Sequence, residues 1–321
     1  MDYQNIINEI KKANTIAVIS HINPDGDTVG SSLAIYKAIQ MYGKKPYIFC
    51  DDVMTDKLSF LQGTEDYNKA KLDKYDLTIA VDCADMERLG VYSAEEFKKG
   101  KRKMVIDHHK TNTKYGDINL IDINAAATAQ IVTFLLKEMG GLNREVARLL
   151  YSGLVTDSGG FTFSNVTAKT MEAASILLEH DIAAHEICDH FLKKIKMNTY
   201  KLKARTLSNA KFYDNNQIGI ISFLKKDFDE TNCDNSSTEG MVNNIINVIG
   251  VRVAVAISEV LEQNFKVSIR TGEDVDSSKI ALMFGGGGHK NAAGFRVNGY
   301  YEDVVEKILK AVRDEICCSW E

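Results

Sequence analysis

Histidines and aspartates recur along the first half of this chain, each time at the end of an apolar run. "TIAVIS" (15–20) is followed by "HINPDGDTVG", which holds His21, Asp25 and Asp27. Asp82 closes "DLTIAVDC" (76–83), Asp107, His108 and His109 close "KMVIDHH" (103–109), and Asp157 ends "LLYSGLVTD". Any one of these alone is ordinary turn chemistry, because Pro, Asp and Gly are the usual punctuation after a strand. Their joint placement is another matter, since independent turns have no reason to converge. Carboxylates with imidazoles, and no cysteine among them, suit a hard or borderline divalent cation such as Mn²⁺ better than a structural zinc. The acids are too many for one ion. A pair of ions about 3.5–4 Å apart would use them all and would suit hydrolytic attack on phosphorus. Without cations, this many carboxylates would repel one another and some would have to stay protonated.

The elements that must present these groups follow from the pattern around them. Short apolar, β-branched runs at 15–20, 45–50, 76–83, 103–109 and 117–123 have helical stretches between or beside several of them, such as 29–41. That alternation predicts an α/β fold, with an N-terminal parallel sheet and helices on both faces. Ligands in such a sheet bind beyond the carboxyl ends of the strands, which places His21, Asp82 and His108 along one rim. The opening "MDYQNIINEIKKAN" reads as an amphipathic helix. Helices are also expected over 125–140, 143–159 and 167–180, with Asn143 and Thr167 as N-caps and Gly140 as a stop.

"KKIKMNTYKLKAR" (193–205) carries six basic residues and reads as a solvated helical linker. From about residue 210 the grammar changes. Strands are expected at 217–224, 251–260 and 265–270, the last two forming an antiparallel hairpin through "LEQN", and helices at 238–250 and 301–316. The expected organisation is therefore a catalytic domain over 1–192, a linker over 193–209 and a smaller α/β domain with a mixed sheet over 210–321. This second domain holds the glycine-dense "FGGGGHKNAAGF" (284–295). The amides of Gly286, Gly287 and Gly288 could approach an anion closely beside His289, and Arg270 could offer a bidentate contact to phosphate.

Composition narrows the partners. A chain of 321 residues is longer than one core usually supports, which favours two domains. The net charge of −5, from 39 basic and 44 acidic residues, argues against broad electrostatic binding to long duplex nucleic acid. An anionic substrate would need a locally positive site or a bound metal. No apolar run approaches the roughly 20 residues of a membrane span, and no signal-peptide core is visible, so a soluble, cytoplasmic protein without membrane partners is expected. The six scattered cysteines read as reduced thiols.

Taken together, "HINPDGDTVGS", "VDCADMERLG", "VIDHHKTN", "GLVTDSGGF" and "FGGGGHKNAAGF" resemble the DHH phosphoesterase family, in the branch with a DHH-associated C-terminal domain. The resemblance covers nearly the whole chain. In its compact two-domain form it is similar to the nano-RNases, which degrade very short RNA and dephosphorylate 3′-phosphoadenosine 5′-phosphate. This implies two Mn²⁺ ions as cofactors, one held by His21 and Asp25 and the other by Asp27, His108 and Asp157, with Asp82 bridging. It also implies that His109 contacts the scissile phosphate or assists the leaving oxygen, and that Asp107 orients its neighbours.

In the second domain, the resemblance has Arg270, His289 and the amides of Gly286, Gly287 and Gly288 bind the far end of the substrate. If each domain holds one end, only substrates of a few nucleotides bind well. The implied partners are short RNA oligonucleotides or small adenine nucleotides, with homodimer formation left open. Relatives with the same two domains act on cyclic di-AMP or its linear product, which makes that the alternative. A pyrophosphatase is disfavoured by the glycine-rich domain end, and a binding protein without turnover by the complete ligand set. Ser158 stands where the family often has Thr, and Asn124 and Ala168 where proline would be expected, but no ligand position is lost.

Overall fold

The apolar runs of the first half pair as β1 (Ile16–Ile19), β2 (Tyr47–Phe49), β3 (Tyr75–Val81), β4 (Gly100–Asp107) and β5 (Ile118–Ile121) in a computed structural model that describes residues 3–318. They form one sheet in the order β2-β1-β3-β4-β5, parallel throughout. Side chains alternate between its faces, as the twofold period of a strand requires. Ile16, Val18, Leu77, Ile79, Met104 and Ile106 pack on one side, in a core shared with α1 (Tyr3–Lys12), α2 (Gly26–Met41), α4 (Thr128–Met139), α5 (Arg144–Asp157) and α6 (Ala168–Leu178). Ala17, Ile19, Ala80 and Val105 pack on the other, against Phe97 of α3 (Val91–Lys98). Both faces are covered, which is why the runs are continuously apolar.

The expected caps hold. Asn143 accepts a hydrogen bond from Val146 N at 2.9 Å, Thr167 forms a capping box with Thr170, and Gly140 closes α4 with left-handed backbone. The helix expected from residue 29 begins earlier, at Gly26, because Asp25 is its N-cap and accepts from the amides of Asp27 and Thr28, both at 3.0 Å. Asp27 therefore sits in the first turn of α2 rather than in a loop.

Helices α2 and α5 lie against each other with almost no room between backbones. A Cβ added at Gly30 would stand 2.4 Å from the Leu149 carbonyl oxygen, and one at Gly153 would stand 2.7 Å from Asp27 Oδ1. This close approach brings Asp157, at the end of α5, to the start of α2.

The chain divides into two compact units between Lys194 and Ile195. The first ends with α7 (Ala184–Cys188) and one π-helical turn over Asp189–Lys193. The second contains β6 (Lys211–Tyr213), β7 (Ile218–Phe223), β8 (Val253–Leu261), β9 (Asn264–Thr271), β10 (Gly287–His289) and β11 (Ala292–Asn298), in the order β10-β11-β9-β8-β7-β6. The sheet is mixed, with β7 and β8 parallel and the other pairs antiparallel. Its helices are α8 (Met197–Ser208), α9 (Lys225–Thr231), α10 (Asn243–Ile246), α11 (Ser277–Met283) and α12 (Tyr301–Cys318).

Two expectations change here. The stretch 193–205 is mostly exposed and largely helical, as expected, but it is anchored rather than free, because α8 buries Leu202 against Ile221 and Phe223 and pairs Arg205 with Asp227 at 2.6 Å. The helix expected over 238–250 shrinks to the single turn of α10, preceded by a 3-10 turn over Asn235–Thr238. Gly240 and Gly250 have positive φ, and the asparagines between them favour turns over helix interiors. Among the described residues, no helix is long and apolar enough to cross a membrane.

Candidate metal centre

At the carboxyl rim of the first sheet, His21 and His108 are each oriented by a backbone carbonyl. His21, 3% exposed, places Nδ1 2.7 Å from Ile22 O, and His108 places Nδ1 3.1 Å from Ala125 O. A carbonyl only accepts, so each Nδ1 carries the proton and each Nε2 keeps its lone pair for a cation. His21 Nε2 lies 3.5 Å from Asp82 Oδ2. His108 Nε2 lies 3.6 Å from Asp82 Oδ1 and 3.4 Å from Asp157 Oδ2.

Asp82 follows β3 with φ of 58°, in the left-handed region. Such backbone at a non-glycine residue costs about 1–3 kcal/mol and persists where the surroundings impose it. Here the Asp82 amide donates to Ile106 O at 2.8 Å, and its Oδ1 accepts from the Thr128 hydroxyl at 2.8 Å. Asp27, fully buried, accepts from Thr128 N at 2.6 Å on Oδ2 and from Ala129 N at 2.8 Å on Oδ1.

The result is two groups of potential ligands, His21 with Asp25 and Asp82, and Asp27 with His108 and Asp157. Within each, one donor atom per residue lies within 4.8 Å of the others. Oxygen and imidazole donors with free lone pairs fit divalent cations such as Mn²⁺. Asp82, His108 and His109 form a third such grouping. However, the His109 nitrogen facing Asp82 is Nδ1, at 3.8 Å, and it is already bonded to Asp107 Oδ1 at 2.7 Å. Asp107 is in turn held by Asn112 Nδ2 at 2.6 Å, so Asn112, Asp107 and His109 form a relay that fixes the His109 ring. Cys50 and Cys83 lie buried nearby, and burial pushes their thiols up to about 11 and about 12.

Burial, then the charges of Asp27 and Asp25, pushes Asp82 and Asp157 well above the usual carboxylate range. Burial also raises Asp27, partly offset by His108. Burial opposes ionisation of Asp107 too, but the hydrogen bond and charge of His109 outweigh it and hold that carboxyl low.

The raised groups make a prediction for the metal-free protein. An acid whose folded pKa lies above its unfolded value stabilises the fold at low pH and loses that contribution as pH rises through the folded value. Between about pH 8 and pH 5, above where ordinary carboxylates titrate, the chelated protein should melt at a higher temperature as pH falls. Added Mn²⁺ should raise the melting temperature more at the alkaline end. Melting curves in chelator across that range check both. A melting temperature that falls on acidification would place the protonated acids elsewhere.

In the second unit, β9, β11 and β10 align Arg270 with Ala292 and Ala292 with His289. Directly paired residues project from the same face, so Arg270 and His289 share it, two strand spacings apart. The Arg270 guanidinium bonds only the Ile269 carbonyl, at 2.9 Å, and no carboxylate among the described residues pairs with it. The glycine run separates into different roles. Gly286 donates its amide to Ala281 O at 2.9 Å, so it leaves the predicted anion-binding set. Cβ atoms at Gly286 and Gly288 would stand 2.3 and 2.5 Å from the carbonyls of Gly294 and Ala292, so hairpin packing alone demands glycine there. A Cβ at Gly287 would meet nothing within 4 Å.

Thr128, Asn112 and Gly153 escape a reading of the sequence. Threonine near a helix start and glycine within one are too common to stand out. Asn112 has a weak signal, since it closes the quoted motif "VIDHHKTN".

A parallel sheet with paired carboxylate and imidazole groups at its carboxyl rim suits a hydrolase acting on phosphoester bonds, and the comparisons with known proteins establish that class. Residues 15–154 match the DHH family, N-terminal domain, and residues 216–317 match the DHHA1 domain. The chain belongs to the DHH family. It is 32% identical over 317 residues to the bifunctional oligoribonuclease and PAP phosphatase NrnA of Thermus thermophilus, covering 97% of this chain and 94% of that one. It is 28% identical to the protein of the same name from Bacillus subtilis, covering 95% of each. Among solved structures, an exopolyphosphatase-related protein from Bacteroides fragilis superposes with a TM-score of 0.90 at 25% identity, over 99% of this chain and 97% of that one.

Proposed function

We propose that this protein hydrolyses short oligoribonucleotides to mononucleotides and removes the 3′-phosphate of 3′-phosphoadenosine 5′-phosphate. Two Mn²⁺ ions would be held by His21 and Asp25 on one side and by Asp27, His108 and Asp157 on the other, with Asp82 between. The observation that carries this reading is the sharing of one carboxylate, Asp82, whose two oxygens face His21 and His108 separately. The relatives named oligoribonuclease and PAP phosphatase support the substrate class.

Bound ions would polarise the phosphoryl oxygen and lower the pKa of an attacking water. The chain's own residues do the rest. Carbonyls of Ile22 and Ala125 fix the tautomers of His21 and His108, so that neither offers a proton where a cation must sit. Asp107 accepts the Nδ1 proton of His109, whose ring is partly exposed. A second proton on Nε2 then makes His109 an imidazolium, able to donate to a phosphate oxygen or to the departing one. Arg270 and His289, with the amides of Gly287 and Gly288, take a terminal phosphate.

Product release in Mn²⁺ from linear diadenylate, cyclic di-AMP, 3′-phosphoadenosine 5′-phosphate and a long single-stranded RNA tests the proposal. Turnover of the linear dinucleotide and the bisphosphate should exceed that of the other two. Efficient opening of the cyclic substrate would move the protein to cyclic dinucleotide turnover, and silence on all four would leave a binding protein.

A further inference from the structure

The five residues 125–129, "AAATA", are all buried and act as a strap across the metal centre. Ala125 O engages His108, Ala126 O engages Asn165 at 3.0 Å, and Asn165 also bonds the Asp157 carbonyl at 3.0 Å. Thr128 reaches furthest. Its amide donates to Asp27, which belongs to one ligand group, and its hydroxyl donates to Asp82, which belongs to the other.

A carboxylate can turn about its last side-chain bond, and that torsion is broad. For Asp82 to face both groups, one oxygen must point to His21 and the other to His108, and the Thr128 hydroxyl on Oδ1 selects that rotation. The structure thus assigns Thr128 as a positioning residue that couples the two ion sites, by locking the rotation of the shared carboxylate relative to Asp27. This rests on the two-ion reading above. Outer-shell partners of this kind typically change metal affinity by about 10–100-fold when removed.

The test is Mn²⁺ titration followed by electron paramagnetic resonance, with Thr128→Val and Thr128→Ser beside the wild type. Valine keeps the shape and the backbone amide but not the hydroxyl, and serine restores the hydroxyl without the methyl. The wild type should bind two ions and give an exchange-coupled signal. Thr128→Val should bind one of them roughly 10–100-fold more weakly and lose the coupled signal at stoichiometric Mn²⁺, and Thr128→Ser should recover it. Thr128→Ala serves equally if the valine variant does not fold. A hydroxyl-free variant that keeps wild-type affinity and coupling would overturn the assignment, as would a serine variant that behaves like valine. A wild type that takes up a single ion would instead overturn the two-ion reading and this inference with it.

Discussion

Asp82→Asn should lower turnover by roughly 10³-fold or more and at the same time raise the melting temperature of the metal-free protein. The first effect follows from position. Asparagine keeps an oxygen to accept the Thr128 hydroxyl, but its amide nitrogen is a poor ligand, so the proposed pair of ion sites would lose its shared donor. A loss of about 4 kcal/mol of transition-state stabilisation, within the several kcal/mol that metal assistance supplies, corresponds to that factor.

The second effect follows from burial. Asp82 is held well above the ordinary carboxylate range by desolvation and by Asp27 and Asp25, so near neutral pH the folded chain carries either a repelled charge or a costly proton. Removing the ionisable group removes that cost. Asparagine also tolerates left-handed backbone about as well as aspartate, so the φ of 58° is retained. Alanine would confound the result by adding backbone strain at this position. Steady-state rates with Mn²⁺ and melting curves in chelator separate the two effects. If the variant loses activity and also melts lower without metal, Asp82 holds the fold together and the inactivity says little about ions.

What could be read from the sequence was local. An apolar run followed by His or Asp places a polar group at a strand end wherever the rest of the chain lies, so the positions of His21, Asp82 and His108 on one rim required only the α/β rule for strand ends. Asn143, Thr167 and Gly140 were equally local, because a cap depends on its own turn. The remainder depends on pairs distant in the chain. The amide of Thr128 meets a carboxylate 101 residues away, and its hydroxyl meets another 46 residues away. The Gly286 amide was predicted free because a glycine run looks open, whereas α11 folds back to occupy it through Ala281. Six basic residues masked the single buried leucine that ties α8 into the second unit. Each of these outcomes was decided by packing, which periodicity does not report.

Gly153→Ala tests the positioning of the centre against the stability of the fold, and it should cost about 10²-fold in activity with a smaller loss of stability than Gly30→Ala. On helix propensity alone, alanine in place of glycine would favour α5 by about 1 kcal/mol. The new Cβ, however, would stand 2.7 Å from Asp27 Oδ1, 3.0 Å from Ala129 Cβ and 3.1 Å from Asp27 Cα. The closest atom is the end of a side chain, which can usually turn away cheaply. This one cannot, because Asp27 Oδ1 is held by Ala129 N and Ser31 Oγ while Oδ2 is held by Thr128 N. Either those bonds break or α5 moves, and in both cases Asp27 and Asp157 no longer present their oxygens together. A misplacement of about 1 Å in a catalytic constellation can cost roughly 10²-fold. Gly30→Ala is the informative contrast. Its Cβ would stand 2.4 Å from the Leu149 carbonyl oxygen, a backbone atom inside a helix with nowhere to go, so that variant should lose stability first and activity only as a consequence. Chemical denaturation and turnover measured on both variants decide the matter. If Gly153→Ala unfolds as readily as Gly30→Ala, the glycine serves helix packing alone, and the placement of Asp27 does not depend on it.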